Sequence, residues 1–249
     1  MTNQLTRRTL LGVTATAALS GLAGCSSITG GDAETTDSPS GSAIADVAVR
    51  DSDAKTNYGI DLAGNPVLGS NDAPVDVYYW TDYQCPFCGR FEENTFPKLL
   101  ENYVAEGSVR FVLLQLPNIG EASTAAARLD KCVWRQVRES NPGAYFDWHA
   151  AVFDAQGKPN SGWAGVENLL DIARNVEGVD AEAADACRTN DTEWAKRAIQ
   201  ADVNSGTDSG ISATPGFVLY NTESGKAGRI TGAQPYDRFE SAIEKVEDA

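Results

Sequence analysis

The stretch Cys85-Pro86-Phe87-Cys88 constrains this chain more than any other, because it sets two thiols three positions apart where a strand hands over to a helix. Upstream, Val75-Asp76-Val77-Tyr78-Tyr79-Trp80 is rich in β-branched and aromatic residues, the composition of a strand, and the polar turn Thr81-Asp82-Tyr83-Gln84 follows it. Downstream, Phe91, Thr95, Leu99 and Tyr103 recur at helical spacing. Cys85 is therefore expected at the helix N-cap, Pro86 at the first helical position and Cys88 in the first turn. Unpaired backbone N–H groups and the positive end of the helix dipole then favour a thiolate on Cys85, which such sites shift to pKa values of roughly 3.5–7.5 from about 8.5. Cys85 is the candidate nucleophile. Cys88, one turn further in and less exposed, is the candidate resolving thiol, which attacks a mixed disulfide between Cys85 and a client.

Residues 1–25 read as an address rather than as part of the fold. Arg7-Arg8 precedes a modestly apolar run from Leu10 to Ala23 that closes on Leu22-Ala23-Gly24-Cys25. The segment resembles a twin-arginine export signal ending in a lipobox. That resemblance implies cleavage before Cys25, lipid on its thiol and a mature protein held on the outer face of the cytoplasmic membrane. The apolar run is shorter than the roughly 20 residues a membrane span needs, and Thr and Ser dilute it. Residues 26–57 open with Ser, Thr, Gly, Asp and Pro, too polar to bury a core, and are expected to form a flexible tether. Residues 58–249 are left for one folded domain.

The formal net charge is −15, and removing residues 1–25 takes away two arginines and no acid, giving −17. A nucleic-acid partner is excluded on that charge. The acids are scattered rather than gathered into a tail, a composition that resembles proteins of salt-loving archaea, although an ordinary acidic secreted protein has the same sign.

With Cys25 assigned to lipid and Cys85 and Cys88 to chemistry, Cys132 and Cys187 remain. Two readings stand for them: a structural disulfide, favoured in an exported protein, or two buried inert thiols. Cys132 lies at the edge of the helical stripe Ala122, Ala126, Leu129, Val133 and Val137, and Cys187 on a helix expected to start after Asp180. Helical periodicity fills about 118–206. Within it, Tyr145, Trp148, His149 and Val152 share one face. His149, the sole histidine, is far in sequence from the dithiol, and a packing role accounts for it better than acid/base work. Trp148, Trp163 and Trp194 read as core residues. Strand character returns at Gly216-Phe217-Val218-Leu219-Tyr220, with Gly228-Arg229-Ile230-Thr231 as its hairpin partner, and Phe239, Ile243 and Val246 mark a closing helix.

Three segments together, Val67-Leu68-Gly69-Ser70, Tyr83-Gln84-Cys85-Pro86-Phe87-Cys88 and Gly210-Ile211-Ser212-Ala213-Thr214-Pro215-Gly216-Phe217, resemble the DsbA-like branch of the thioredoxin-fold thiol oxidoreductases, in order over about residues 58–248. The resemblance implies an α/β fold, with a central mixed sheet flanked by helices and a helical subdomain inserted at about 118–206. It implies a cis bond at Thr214-Pro215 facing the dithiol, with the Thr214 backbone open to pair with an extended client segment. It also implies that Cys132 and Cys187 form a second, structural disulfide. Pro86 and Phe87 tune the dithiol, and Phe87 departs from the histidine found there in the strong oxidants of the family. An apolar residue offers the thiolate no polar N–H, so a less oxidising couple is expected from this position.

Other dithiol chemistries fit less well. No second Cys/His pair has zinc-ligand spacing, and Gly89 stands where haem attachment needs histidine. A Cu(I) metallochaperone is the alternative of a different class, since thiolate pairs suit that ion. The expectation is a lipid-anchored, extracytoplasmic thiol:disulfide oxidoreductase. It acts on thiols and disulfides of exported proteins and depends on an unidentified redox partner, with no resident metal and no cofactor beyond its own redox-active disulfide. Reductase and isomerase are the competing directions within that class.

Overall fold

The computed structural model describes residues 47–53 and 55–248, so the expected export signal, Cys25 and the first part of the expected tether lie outside the described residues. Six strands form one mixed sheet in the order β1-β2-β4-β3-β5-β6. They are β1 (Val49–Arg50), β2 (Val67–Leu68), β3 (Val75–Thr81), β4 (Val109–Gln115), β5 (Gly216–Asn221) and β6 (Ala227–Thr231). β3 and β4 run parallel, and the other neighbours are antiparallel. β1 comes from the segment expected to be tether. Val49 and Arg50 pair with Leu68 and Val67, and Val47 is buried beside them, so the apolar Val47-Ala48-Val49 ends the tether earlier than residue 57.

β3 is buried along its whole length, because both faces of the sheet are covered. Val75, Val77 and Tyr79 face the larger core, where Phe91 of α1 (Pro86–Asn94) and Phe239 of α8 (Tyr236–Glu247) pack. Tyr78 and Trp80 face the other way, toward Ile60, Leu62 and Val218. There α7 (Thr192–Asp208) closes the layer, its Asp202 carbonyl accepting from Trp80 Nε1 at 2.9 Å.

The single helix expected from Cys85 through Tyr103 is interrupted. α1 ends at Asn94, α2 spans Phe96–Leu99, and Leu100–Val104 forms a π-helical turn. Pro97 supplies the reason, since it has no N–H to continue the helical ladder. Thr95 sits at the break with φ −118° and ψ −45°.

Between β4 and β5 the chain forms α3 (Glu121–Val137), α4 (Gly143–Asp154), α5 (Val166–Arg174), α6 (Ala181–Asn190) and α7. Asp180 caps α6 by accepting from the Ala183 N–H. Cys132 of α3 and Cys187 of α6 are joined by a disulfide with a Cα–Cα distance of 5.7 Å. α7 is not a pure insertion, because it returns to cover the second face of the sheet. No helix of the described residues is long and apolar enough to cross a membrane.

Candidate active site

The dithiol sits where β3 runs out. Cys85 is the N-cap of α1 in extended conformation (φ −78°, ψ 115°), and Pro86 starts the helix. Cys85 is 3% exposed and Cys88 is fully buried, and both are free thiols. The Thr214-Pro215 bond is cis. It lies just before β5, whose Gly216 pairs with Trp80 of β3, so the sheet carries residue 214 to the end of the strand that leads into the dithiol. The Cys85 thiol donates to the Thr214 carbonyl at 3.3 Å.

The two thiols have opposite acidities. The Cys85 pKa is lowered to about 6, chiefly by the hydrogen bond from the Cys88 thiol; burial opposes this, and the Thr214 side chain and the backbone N–H groups of Cys88 and Phe87 reinforce it. Burial pushes Cys88 well above the ordinary thiol range, and its hydrogen bond to Cys85 adds to the rise. At neutral pH one thiolate therefore stands at the helix start and one thiol beneath it.

Side chains that carry no sulfur hold the connecting turn. Asp82 is 1% exposed; its Oδ1 accepts from Gln84 N at 2.9 Å, and its Oδ2 accepts from the Asn118 and Ile119 N–H groups at 2.9 and 3.1 Å. Gln84 donates to Ser123 Oγ at 3.0 Å and accepts from Asn160 N at 2.9 Å. Gln156, just beyond α4, donates its amide to the carbonyls of Tyr83 (2.6 Å) and Cys85 (3.1 Å). Gly89 makes room for it, because a Cβ there would lie 2.3 Å from Gln156 Oε1. The helical block thus clamps the dithiol loop through Asn118, Ile119, Ser123, Gln156 and Asn160, none of which the sequence reading singled out as a site residue.

Phe87 is 52% exposed, the exposed large hydrophobic side chain of the described residues, and the Arg90 guanidinium lies 5.1 Å from its ring centroid. Its lack of a polar N–H does not leave Cys85 with an ordinary pKa, since the Cys88 thiol, Thr214 and the helix backbone supply the donors.

His149 is fully buried on α4, yet both ring nitrogens have partners: Nδ1 meets the Tyr83 hydroxyl at 2.9 Å and Nε2 meets Glu92 Oε1 at 3.1 Å. Tyr83 and Tyr145 each donate a hydroxyl to Asp130 Oδ1, at 2.6 and 2.7 Å. Packing alone does not describe this residue. Tyr83 and Glu92 flank the dithiol in sequence, but nothing in the sequence shows that α4 brings His149 between them.

A protein that makes one thiol of a pair acidic and buries the other against it is built for thiol–disulfide exchange, and this chain is a thiol:disulfide oxidoreductase with a thioredoxin-like fold. The profile of the Thioredoxin family matches residues 62–245, and the chain belongs to that family. It is 28% identical over 184 residues to Disulfide bond formation protein D of Bacillus subtilis, covering 74% of this chain and 78% of the relative. Among solved structures, oxidised BdbD from Bacillus subtilis superposes with a TM-score of 0.64 at 28% identity, over 80% of this chain and all (100%) of that one. A thioredoxin-like oxidoreductase from Silicibacter pomeroyi is similar at a TM-score of 0.60 and 27% identity, over 75% and 94% of the two chains. The α-DsbA1 of Wolbachia pipientis shares the fold, with a TM-score of 0.64 at 22% identity over 76% and 94%.

Proposed function

We propose that the chain donates disulfides to cysteines of exported proteins, with Cys85 as the nucleophile and Cys88 as the resolving thiol, while lipid on Cys25 tethers it to the outer face of the membrane. The observation that carries the direction is the lowered pKa of Cys85. A stabilised thiolate stabilises the reduced state, which makes the disulfide state the stronger oxidant. The name of the Bacillus subtilis relative, a disulfide bond formation protein, supports the same direction.

In the oxidising direction a client thiolate attacks Cys85 Sγ of the Cys85–Cys88 disulfide. The S–S bond breaks, its electron pair goes to Cys88 Sγ, and the client is held on Cys85. A second client thiolate then attacks the client sulfur and Cys85 leaves as the thiolate, a good leaving group because of its low pKa. Thr214, within hydrogen-bond reach of Cys85, is the backbone against which the client segment lies. A separate electron acceptor restores the disulfide, and no resident cofactor takes part. The −17 charge of the processed chain suits a salt-rich exterior.

Cys88→Ala tests this reading in cells. The variant is expected to accumulate reducible adducts between Cys85 and exported proteins, on a chain whose first residue is lipid-bearing Cys25 by mass spectrometry. Absence of adducts removes the client chemistry, and an intact 1–25 segment removes the tether.

A further inference from the structure

The Cys85–Pro86 peptide is the joint on which the nucleophile turns, and it has no N–H of its own by which to be held. No side chain caps α1, so the aim of the Cys85 sulfur depends on the backbone of Cys85 itself, at φ −78° and ψ 115°. The helical bond from Gly89 N to the Cys85 carbonyl is 3.2 Å, at the long end of the ordinary range. Rotating that carbonyl changes ψ of Cys85. The sulfur then swings relative to the unpaired N–H groups of the first turn and to the Thr214 carbonyl, which lies 3.3 Å from it.

Gln156 supplies the missing hold. Its carboxamide nitrogen donates to the Tyr83 carbonyl at 2.6 Å and to the Cys85 carbonyl at 3.1 Å; both partners only accept, which fixes nitrogen rather than oxygen on that side. Among the described residues no backbone N–H donates to the Tyr83 carbonyl. One NH2 group thus closes the turn on both sides of Gln84. Gln156 is itself anchored, since its backbone N–H donates to the Phe153 carbonyl at 3.0 Å and Asn160 N, four residues on, donates to Gln84 Oε1 at 2.9 Å. The rest of the carboxamide lies over α1 at Gly89. A Cβ on residue 89 would collide with Gln156 Oε1 and would stand 3.0 Å from Cδ and 3.4 Å from Nε2. Gly89 lies inside α1, where any residue but proline fits the backbone, so space rather than conformation demands glycine there.

We propose that Gln156 is a positioning residue for the nucleophile: its carboxamide locks the Cys85 carbonyl so that the sulfur stays aimed at the start of α1, and Gly89 lacks a side chain in order to admit it. The inference rests on the nucleophilic role given to Cys85 above. Gln156 acts through the backbone and takes no part in making or breaking bonds. With the joint locked, the donors at the helix start stabilise the thiolate fully. With the joint released, the sulfur drifts from them, Cys85 becomes a weaker acid and the disulfide a weaker oxidant. Cys88 is the titratable group that meets Cys85, and the substitutions below leave it in place.

The ionisation of Cys85 is read on the reduced protein from thiolate absorbance at 240 nm against pH, and the couple from equilibration with glutathione. Gln156→Ala is expected to raise the ionisation midpoint by at least one pH unit from about 6. At pH 8 its disulfide should be about tenfold less oxidising, which is about 30 mV. Gly89→Ala separates aim from mere packing, because it removes no contact and ordinarily favours a helix, yet here it displaces the carboxamide. It is expected to raise the midpoint in the same direction and serves alone if Gln156→Ala does not fold. In the double variant the second alanine should add nothing, since the group it would displace is gone. A folded Gln156→Ala or Gly89→Ala protein with the parent's midpoint and couple overturns the proposal, as do effects that add in the double variant. A parent protein with no thiol ionising near pH 6 removes the nucleophile reading beneath it, and the proposal with it.

Discussion

Cys85→Ser is expected to abolish disulfide exchange, and Cys88→Ala to leave a protein that reacts once and stops. The asymmetry follows from the site. Cys85 alone keeps any exposure at the helix start, 3% of the residue against none for Cys88, and it alone is held as a thiolate near neutral pH. Serine keeps the shape but stays a neutral alcohol in place of a thiolate, so the rate of reaction with a model disulfide should fall by at least about 10³-fold, the scale on which an enzyme feels the loss of its nucleophile. In Cys88→Ala the first attack survives. The hydrogen bond that contributes most to lowering the Cys85 pKa is lost, so the thiolate should be less populated at pH 6–7 and the attack slower there than in the parent. Stopped-flow rates with an aromatic disulfide, together with the mass of the trapped adduct, measure both effects.

The second large effect belongs to the bond between Cys132 and Cys187. It joins α3 to α6 across a sequence separation of 55 residues. In the chain-entropy account, closing a loop of that length removes about 4 kcal/mol of unfolded-state freedom. Replacing both cysteines with alanine should therefore lower the denaturant midpoint by an amount equivalent to up to about 4 kcal/mol at unchanged m-value per unit of surface exposed. The dithiol chemistry should survive in the folded fraction, because this bond and the Cys85–Cys88 pair share no atoms or hydrogen bonds. A double variant as stable as the parent would remove the bond from the account of stability.

These expectations divide according to what the sequence makes legible. The strand Val75–Thr81, the N-cap at Cys85 and the hairpin Gly216–Thr231 are local: β-branched runs, a Cys-Pro start and turn residues specify them without help from distant parts of the chain. The break at Thr95 was also written locally, in Pro97, but the apolar spacing through Tyr103 masks it. β1 is a different case. Two residues make a strand only because β2 offers an edge, and no periodicity can show in so short a segment. At the site, Cys85 and Cys88 identify themselves, whereas the approach of Thr214-Pro215 is visible only through resemblance to a family. The groups that clamp and surround the dithiol, namely Gln84, Asp82, Gln156, Glu92 and His149, were hardest to see. Each is an ordinary polar residue whose partner lies between 36 and 76 positions away, and tertiary packing alone brings them together.

The central claim is that the reduced site holds one thiolate and one thiol. Equilibrating the purified domain with glutathione across pH 4–9 tests it most directly. With Cys85 ionising near pH 6, reduction takes up two protons below that value and one above it. The potential should therefore fall by about 59 mV per pH unit on the acid side and about 30 mV per unit on the alkaline side, with the two electrons assigned to Cys85 and Cys88. A couple that falls by about 59 mV per unit throughout the range, or no reversible couple at all, would contradict it.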